Sequence, residues 1–232
     1  MRILLFSLCY NDENPSTYRA NTHFGGIYLA SHYVLVTPSY GTEFLMQTDR
    51  LVLSVLRGNT SNSCSVCDYL VRNREFHKPF HQTHDNLYFT TKEQKLYLKS
   101  DVNHFYKGEM LPLWISEKEN PRKIIGRISF SCIVRGGIQT TTVGYHLDKD
   151  CLHKGYMTEA LQAACEYAFS ELKLHRIQAD IMPHNAPSVS CVKRCGFRLS
   201  GYNVKYMEID GRYQDHEMYV LLNEPDEKYD FL

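Results

Sequence analysis

Between residues 155 and 172 apolar side chains recur at three- and four-residue steps: Met157, Ala160, Leu161, Ala164, Cys165, Ala168, Phe169 and Leu172. That spacing lays one stripe along a helix. Just upstream, TTVGYHL (141–147) is β-branched and aromatic and predicts a strand. The unit is therefore strand, polar loop, glycine and helix. N–H groups at such a helix start lack internal partners and suit phosphate oxygens. Taken locally, the pattern fits an ordinary strand-to-helix turn equally well.

The remainder of the chain supplies context. Residues 48–56 (TDRLVLSVL) predict a strand, and 64–73 and 90–107 predict helices flanking a polar-aromatic stretch at 74–89. Residues 111–117, 124–134 and 139–147 form an antiparallel meander with short turns. Residues 175–182 add a strand reached through the helix, which is a crossover connection. A short helix at 188–194 stops at Gly196, and 197–209 with 213–222 close a hairpin at Asp210-Gly211. The order β-α-α-β-β-β-α-β-α-β-β predicts an α+β fold with one mostly antiparallel sheet. Residues 1–45 show no clear period and are read as an N-terminal extension, poorly structured or arising from a mis-assigned start, before a domain at 46–232. The apolar run at 1–10 is short and lacks a small-residue cleavage site, which argues against a secretion signal. The acidic tail 223–232 is expected to be loose.

Composition narrows the function classes. With 43% hydrophobic and 22% charged residues the chain can bury a sizeable core. Lys+Arg and Asp+Glu both number 26, so no global grip on nucleic acid or anionic membrane is expected. No apolar run approaches the roughly 20 residues of a membrane span. The eight cysteines are scattered, as reduced thiols of a cytoplasmic protein would be. Cys64 and Cys67 make a CxxC, but no second pair lies at zinc-like spacing, so no metal is expected. Cys191 and Cys195 share a helix face, expected to lie against the core.

Three blocks together resemble the GNAT superfamily of acetyltransferases, and within it the RimJ/RimL ribosomal-protein-alanine N-acetyltransferases. They are Leu152-His153-Lys154-Gly155-Tyr156-Met157 with the following Thr158-Glu159-Ala160-Leu161; HRIQADIMPHNAPSVSCVKRCGF at 175–197; and IDGRYQDHEMYVLL at 209–222. NREFHKPF (73–80) and SCIVRGG (131–137) are similar to RimJ in particular. The resemblance spans roughly residues 48–222. It implies the acyl-CoA N-acyltransferase fold and acetyl-CoA as co-substrate. The acceptor it implies is a protein N-terminus, by likeness that of a ribosomal protein, with the enzyme a cytoplasmic monomer or homodimer. On this likeness backbone N–H groups of His153, Lys154, Gly155, Tyr156 and Met157 would hold the pyrophosphate. Those near Tyr145 and Leu147 would hold the thioester carbonyl, and Asn185 would contact the cofactor arm.

The chain departs from the family pattern at three positions. Leu152 replaces a Gln or Arg, Met157 replaces a small residue, and Val192 stands where many relatives place a tyrosine acid. Ser188 is the implied proton donor to the departing thiolate, although serine at a helix start is also a common cap. Glu208 is the candidate base, with a water relay or His146 as alternatives. Its neighbour Met207 occupies the position where some relatives carry a carboxylate, and strand neighbours face opposite ways. A small-molecule amine (antibiotic, polyamine or toxin) is the alternative acceptor. A module that binds acyl-CoA without turnover is a third reading.

Overall fold

The structure is a computed structural model that describes residues 17–19, 23–24, 27–28, 32–38 and 41–224. Its strands are β1 (Thr17–Arg19), β2 (His23–Phe24), β3 (Ile27–Tyr28), β4 (Val34–Val36), β5 (Thr42–Gln47), β6 (Leu51–Leu56), β7 (Leu111–Glu117), β8 (Asn120–Val134), β9 (Thr140–Leu147), β10 (Arg176–Ile181), β11 (Arg198–Ile209) and β12 (Arg212–Leu222). The helices are α1 (Thr60–His77), α2 (Thr91–Tyr106), α3 (Tyr156–Ser170) and α4 (Ala186–Arg194). One sheet runs in the order β1-β4-β5-β6-β7-β8-β9-β10-β12-β11. The β9–β10 pair is parallel and the other pairs of this sheet are antiparallel. The α+β prediction with a mostly antiparallel sheet is met.

Strand alternation sorts the core into two layers. Leu51, Leu53 and Val55 of β6 and Leu111, Leu113 and Ile115 of β7 pack with the alanine-rich face of α3, together with Cys191 and Val192 of α4. Trp114 and Leu56, from the opposite face, pack with Val66, Tyr69 and Leu70 of α1 and Leu98 of α2. The 155–172 stripe thus buries as its period requires, with Ala160, Leu161, Ala164 and Ala168 fully inaccessible. Side-chain caps set the helix starts: Asn59 accepts from Asn62 N at 2.9 Å, and Thr90 accepts from Glu93 N at 3.3 Å.

The expected boundary at residue 46 falls inside β5, which pairs with β6 over residues 42–47. Tyr33 is buried against α3, its hydroxyl 3.0 Å from Ser170 Oγ. β4, β5 and Tyr33 of the N-terminal segment are therefore built into the main sheet and core, whereas β2 and β3 pair with each other in a separate two-stranded sheet; the signal-like run at 1–10 and the tail from 225 lie outside the described residues. α1 starts at Thr60, ahead of the predicted start at residue 64, because Asn59 caps the helix there.

Candidate active site

The parallel pairing of β9 and β10 covers just three residues, Thr140–Thr142 against Arg176–Gln178. Beyond Thr142 the two strands diverge and leave a seam in the sheet. Asp148 N–H donates to Ile125 O at 2.7 Å, which fixes the alternation of β9 against β8. Residues of one parity, His146 among them, bond toward β8, so the N–H groups of Tyr145 and Leu147 point away from it into the seam.

At the head of the seam a single 3-10 turn (Lys149–Cys151) leads to Leu152 and into α3. His153 and Gly155 both take positive φ, +61° and +77°, folding the loop back onto the helix start. Glycine fits this position because an L side chain there is strained. Gly155 offers no side-chain cap, and the first intrahelical bond is Glu159 N–H to Gly155 O, so the N–H groups of Tyr156, Met157 and Thr158 lack intrahelical acceptors. Met157 is buried in the core, which explains how a long side chain is accommodated at this step.

A polar clamp holds the loop from behind. The Glu159 carboxylate accepts from Thr48 Oγ1 at 2.6 Å, Arg50 N at 2.9 Å and Arg50 Nε at 2.7 Å. Arg50 Nη1 also donates to Lys154 O at 2.9 Å, and the guanidinium lies 4.7 Å from the Tyr156 ring centre. Burial opposes ionisation of Glu159, but the Thr48 and Arg50 donors outweigh it and hold the carboxyl below its ordinary range.

Across the seam, Asn185 caps α4 by accepting from Ser188 N at 3.3 Å. Half-buried Ser188 donates its hydroxyl to Tyr145 OH at 2.7 Å, and Tyr145 OH donates to Ser188 O at 3.0 Å. Burial and the neighbouring Cys191 thiol push the Tyr145 phenol up, so it stays protonated. Val192 is wholly buried, so a tyrosine hydroxyl reaches α4 from the strand and not from the helix. The sequence signal for this was only the aromatic at 145, read for its backbone. Glu208 sits apart from this group: it is exposed on β11 opposite Tyr213, while Met207 beside it is half-buried.

On the other side of the seam a cavity of about 260 Å³ lies between α1, the 78–89 segment and the β11–β12 turn. Its lining includes Glu75, His77, His81, His84, Tyr88 and Asp210. His77 Nε2 donates to Leu147 O at 2.8 Å, tying this cavity to the end of β9. Asp210 N–H donates to His81 O at 3.1 Å and fastens the hairpin turn to the same segment. Burial pulls His77 down, pulls His81 down to about 4 with help from His77 and His84, and pulls His146 well down, so all three rings are neutral at pH 7. Sequence reading gave no sign that these three meet, because 65 residues separate His146 from His81.

A profile of the acetyltransferase (GNAT) domain matches residues 65–198, which brackets both walls of the seam and the glycine loop. The chain belongs to this family. The GNAT protein described here is 36% identical over 156 residues to "Probable N-acetyltransferase YjcK" of Bacillus subtilis, covering 67% of this chain and 86% of that protein. It is 33% identical over 177 residues to [Ribosomal protein uS5]-alanine N-acetyltransferase of Escherichia coli, covering 76% of this chain and 89% of the relative. Among solved structures, ribosomal-protein-S5-alanine acetyltransferase from Vibrio fischeri superposes with a TM-score of 0.74 at 26% identity, covering 82% of this chain and all of that one. RimJ of Mycobacterium smegmatis, solved in complex with CoA-disulfide, shares the fold with a TM-score of 0.70 at 21% identity, over 75% of this chain and 83% of that one.

The protein is an acetyl-CoA-dependent N-acetyltransferase. Its residues fit that co-substrate: the sheet opens where an acyl chain can enter, and the left-handed loop leaves donors unpaired at a helix start. Among the described residues no helix is long and apolar enough to cross a membrane.

Proposed function

We propose that this GNAT enzyme acetylates the N-terminal α-amine of a protein, and that the protein is ribosomal. The observation that carries this reading is the 33% identity, over most of both chains, to an enzyme that modifies an alanine of ribosomal protein uS5. The cavity beside the seam supports it. A polypeptide end needs a channel between the helical segment and the terminal hairpin, and a cavity lies between those elements, with Arg74, Glu75, Lys78, Gln82 and Thr83 exposed along it. Its two carboxylates, Glu75 and Asp210, are matched by Arg74 and Lys78, so it is not the predominantly carboxylate-lined pocket that a polyamine would favour.

Acetyl-CoA supplies an activated acyl group and a thiolate leaving group. In this reading the N–H groups of His153, Lys154, Gly155, Tyr156 and Met157 bind the pyrophosphate oxygens. The N–H groups of Tyr145 and Leu147, preorganised by β8 pairing, donate to the carbonyl oxygen where negative charge develops. Asn185 orients the cofactor arm beside the start of α4. Ser188 and the protonated Tyr145 deliver a proton to the departing sulfur, the serine acting as a link in a hydroxyl pair because it is itself too weak an acid. An α-amine with a pKa near 8 is about one-tenth neutral at pH 7. A water relay to exposed Glu208 is therefore a sufficient proton sink. The cofactor and the seven described cysteines, all of them free, support a cytoplasmic location.

The test is thiol release from acetyl-CoA by the full chain with a panel of acceptors. Peptides carrying ribosomal-protein N-termini that begin with alanine should support turnover, and the same peptides with blocked amines should not. Turnover with small amines but with none of the peptides would overturn the reading.

A further inference from the structure

Three histidines with no role in the chemistry above meet beside the seam. His77 closes α1, His81 follows one turn later, and His146 comes from β9. Their ring centres lie 5.0 Å (His77–His81), 5.1 Å (His77–His146) and 4.9 Å (His81–His146) apart. One nitrogen from each ring lies within 4.8 Å of the other two. We propose that His77, His81 and His146 form a binding site for one divalent transition metal ion of the zinc class.

The hydrogen bonds around the rings support this assignment. A carbonyl oxygen can only accept, so the 2.8 Å bond to Leu147 O puts the proton of neutral His77 on Nε2 and leaves Nδ1 a bare lone pair. His146 Nδ1 is 2.6 Å from the buried Tyr69 hydroxyl, which leaves its Nε2 for a ligand. A carbonyl or hydroxyl on the far nitrogen is the outer-shell arrangement that orients metal-binding histidines. His81 makes no side-chain hydrogen bond among the described residues and lines the cavity.

Three imidazoles select Zn, Ni, Cu or Co over Mg and Ca, which prefer oxygen. Zinc–nitrogen bonds of about 2.0–2.1 Å in tetrahedral geometry would put the nitrogens roughly 3.3 Å apart. No nitrogen–nitrogen separation would therefore have to close by more than about 1.5 Å, within the reach of ring rotations about χ1 and χ2. The fourth position would open into the cavity, leaving it to water or another small ligand, as in exchangeable three-histidine sites. The CxxC is a poorer site: Cys64 is exposed, and the Cys67 thiol donates to Phe89 O at 3.1 Å.

The full chain, stripped with a chelator, should be titrated with Co²⁺ and Zn²⁺ without acetyl-CoA or acceptor. The expected result is one ion per chain, intense visible bands from tetrahedral Co²⁺, and bleaching of those bands by Zn²⁺. His81→Ala should weaken Co²⁺ binding at least tenfold, with folding checked by circular dichroism. Tyr69→Phe, which keeps the ring and its packing, should weaken it by about 10–100-fold. The absence of bound ion above a buffer blank overturns the proposal. So does binding that His81→Ala leaves intact, or that Cys64→Ser with Cys67→Ser abolishes. These readouts do not depend on the acceptor, so the acetyltransferase reading stands or falls separately.

Discussion

Replacing Glu159 by glutamine tests whether the clamp behind the glycine loop is an electrostatic support. The variant keeps the shape but removes the charge that faces Arg50 Nε, Arg50 N and Thr48 Oγ1. Hydrogen bonds to a charged group are worth about 1.5–3 kcal/mol each when well buried. The Glu159 side chain is 19% exposed but Arg50 is 48% exposed, so solvent screening puts the whole loss near the low end, about 2 kcal/mol. For a chain of this length that corresponds to a Tm lower by roughly 4–8 °C at pH 7. The sign of the pH effect follows from the carboxyl being held below its ordinary value of 4.5 in the folded protein. Its contribution is fully present above that value and is lost as the pH falls through the folded pKa. Urea unfolding of both proteins from pH 7 down to pH 4 and below should therefore show a gap that narrows with acidity. The KM for acetyl-CoA should rise while kcat holds, because the clamp positions the loop without touching the reacting atoms. Equal stability at pH 7, or a gap that stays constant into acid, would refute the reasoning.

Further outcomes follow from the same geometry. Ser188→Ala should lower kcat by roughly 100-fold in a thiol-release assay, the scale of lost proton transfer, and Tyr145→Phe should do the same if the two hydroxyls act as a pair. Gly155→Ala meets only Arg50 Nη2 at 3.5 Å, so its cost is backbone strain at φ +77°; about 1–2 kcal/mol of stability and weaker acetyl-CoA binding are expected by denaturation and calorimetry. Leu161→Ala, at a wholly buried position on the core face of α3, should cost about 2–5 kcal/mol in urea unfolding with little change in KM. A chain starting at Met46 loses buried Tyr33 and most of β5 and should melt well below the full chain in differential scanning calorimetry.

The meander, the α3 crossover and the terminal hairpin were legible because each repeats its period over a full element. β5 was not, for a physical reason: its burial follows no strict alternation, and a register shift between Thr42 and Phe44 breaks the pairing with β6. The terminal hairpin hides a second irregularity. Residues 204–206 bulge out between the Asn203 and Met207 pairings, Lys205 takes φ +45°, and Asp215 receives both the Lys205 N–H and the Tyr202 hydroxyl. Within the site, the glycine loop was visible as a local motif. Side-chain meetings across the fold were not: Tyr145 reaches Ser188 over 43 positions, and Tyr69 reaches His146 over 77. Contacts of that kind leave no trace in spacing.

The three-residue pairing of β9 with β10 also governs how the molecule should come apart. Hydrogen bonding across the whole sheet passes through Arg176, Ile177 and Gln178 at that one junction, whereas β10 and β12 pair over six residues. Cooperativity between the two parts of the sheet therefore rests on α3 and α4 more than on the ladder itself. The three C-terminal strands form a natural subunit of opening, able to lose protection as a block while the meander stays closed. In native-state hydrogen exchange the amides of β10, β11 and β12 should share one opening free energy, lower than that of β7 and β8. A bound acyl carrier bridging the seam would raise it toward the global value, so occupancy of the active site would read out as mechanical unity of the sheet.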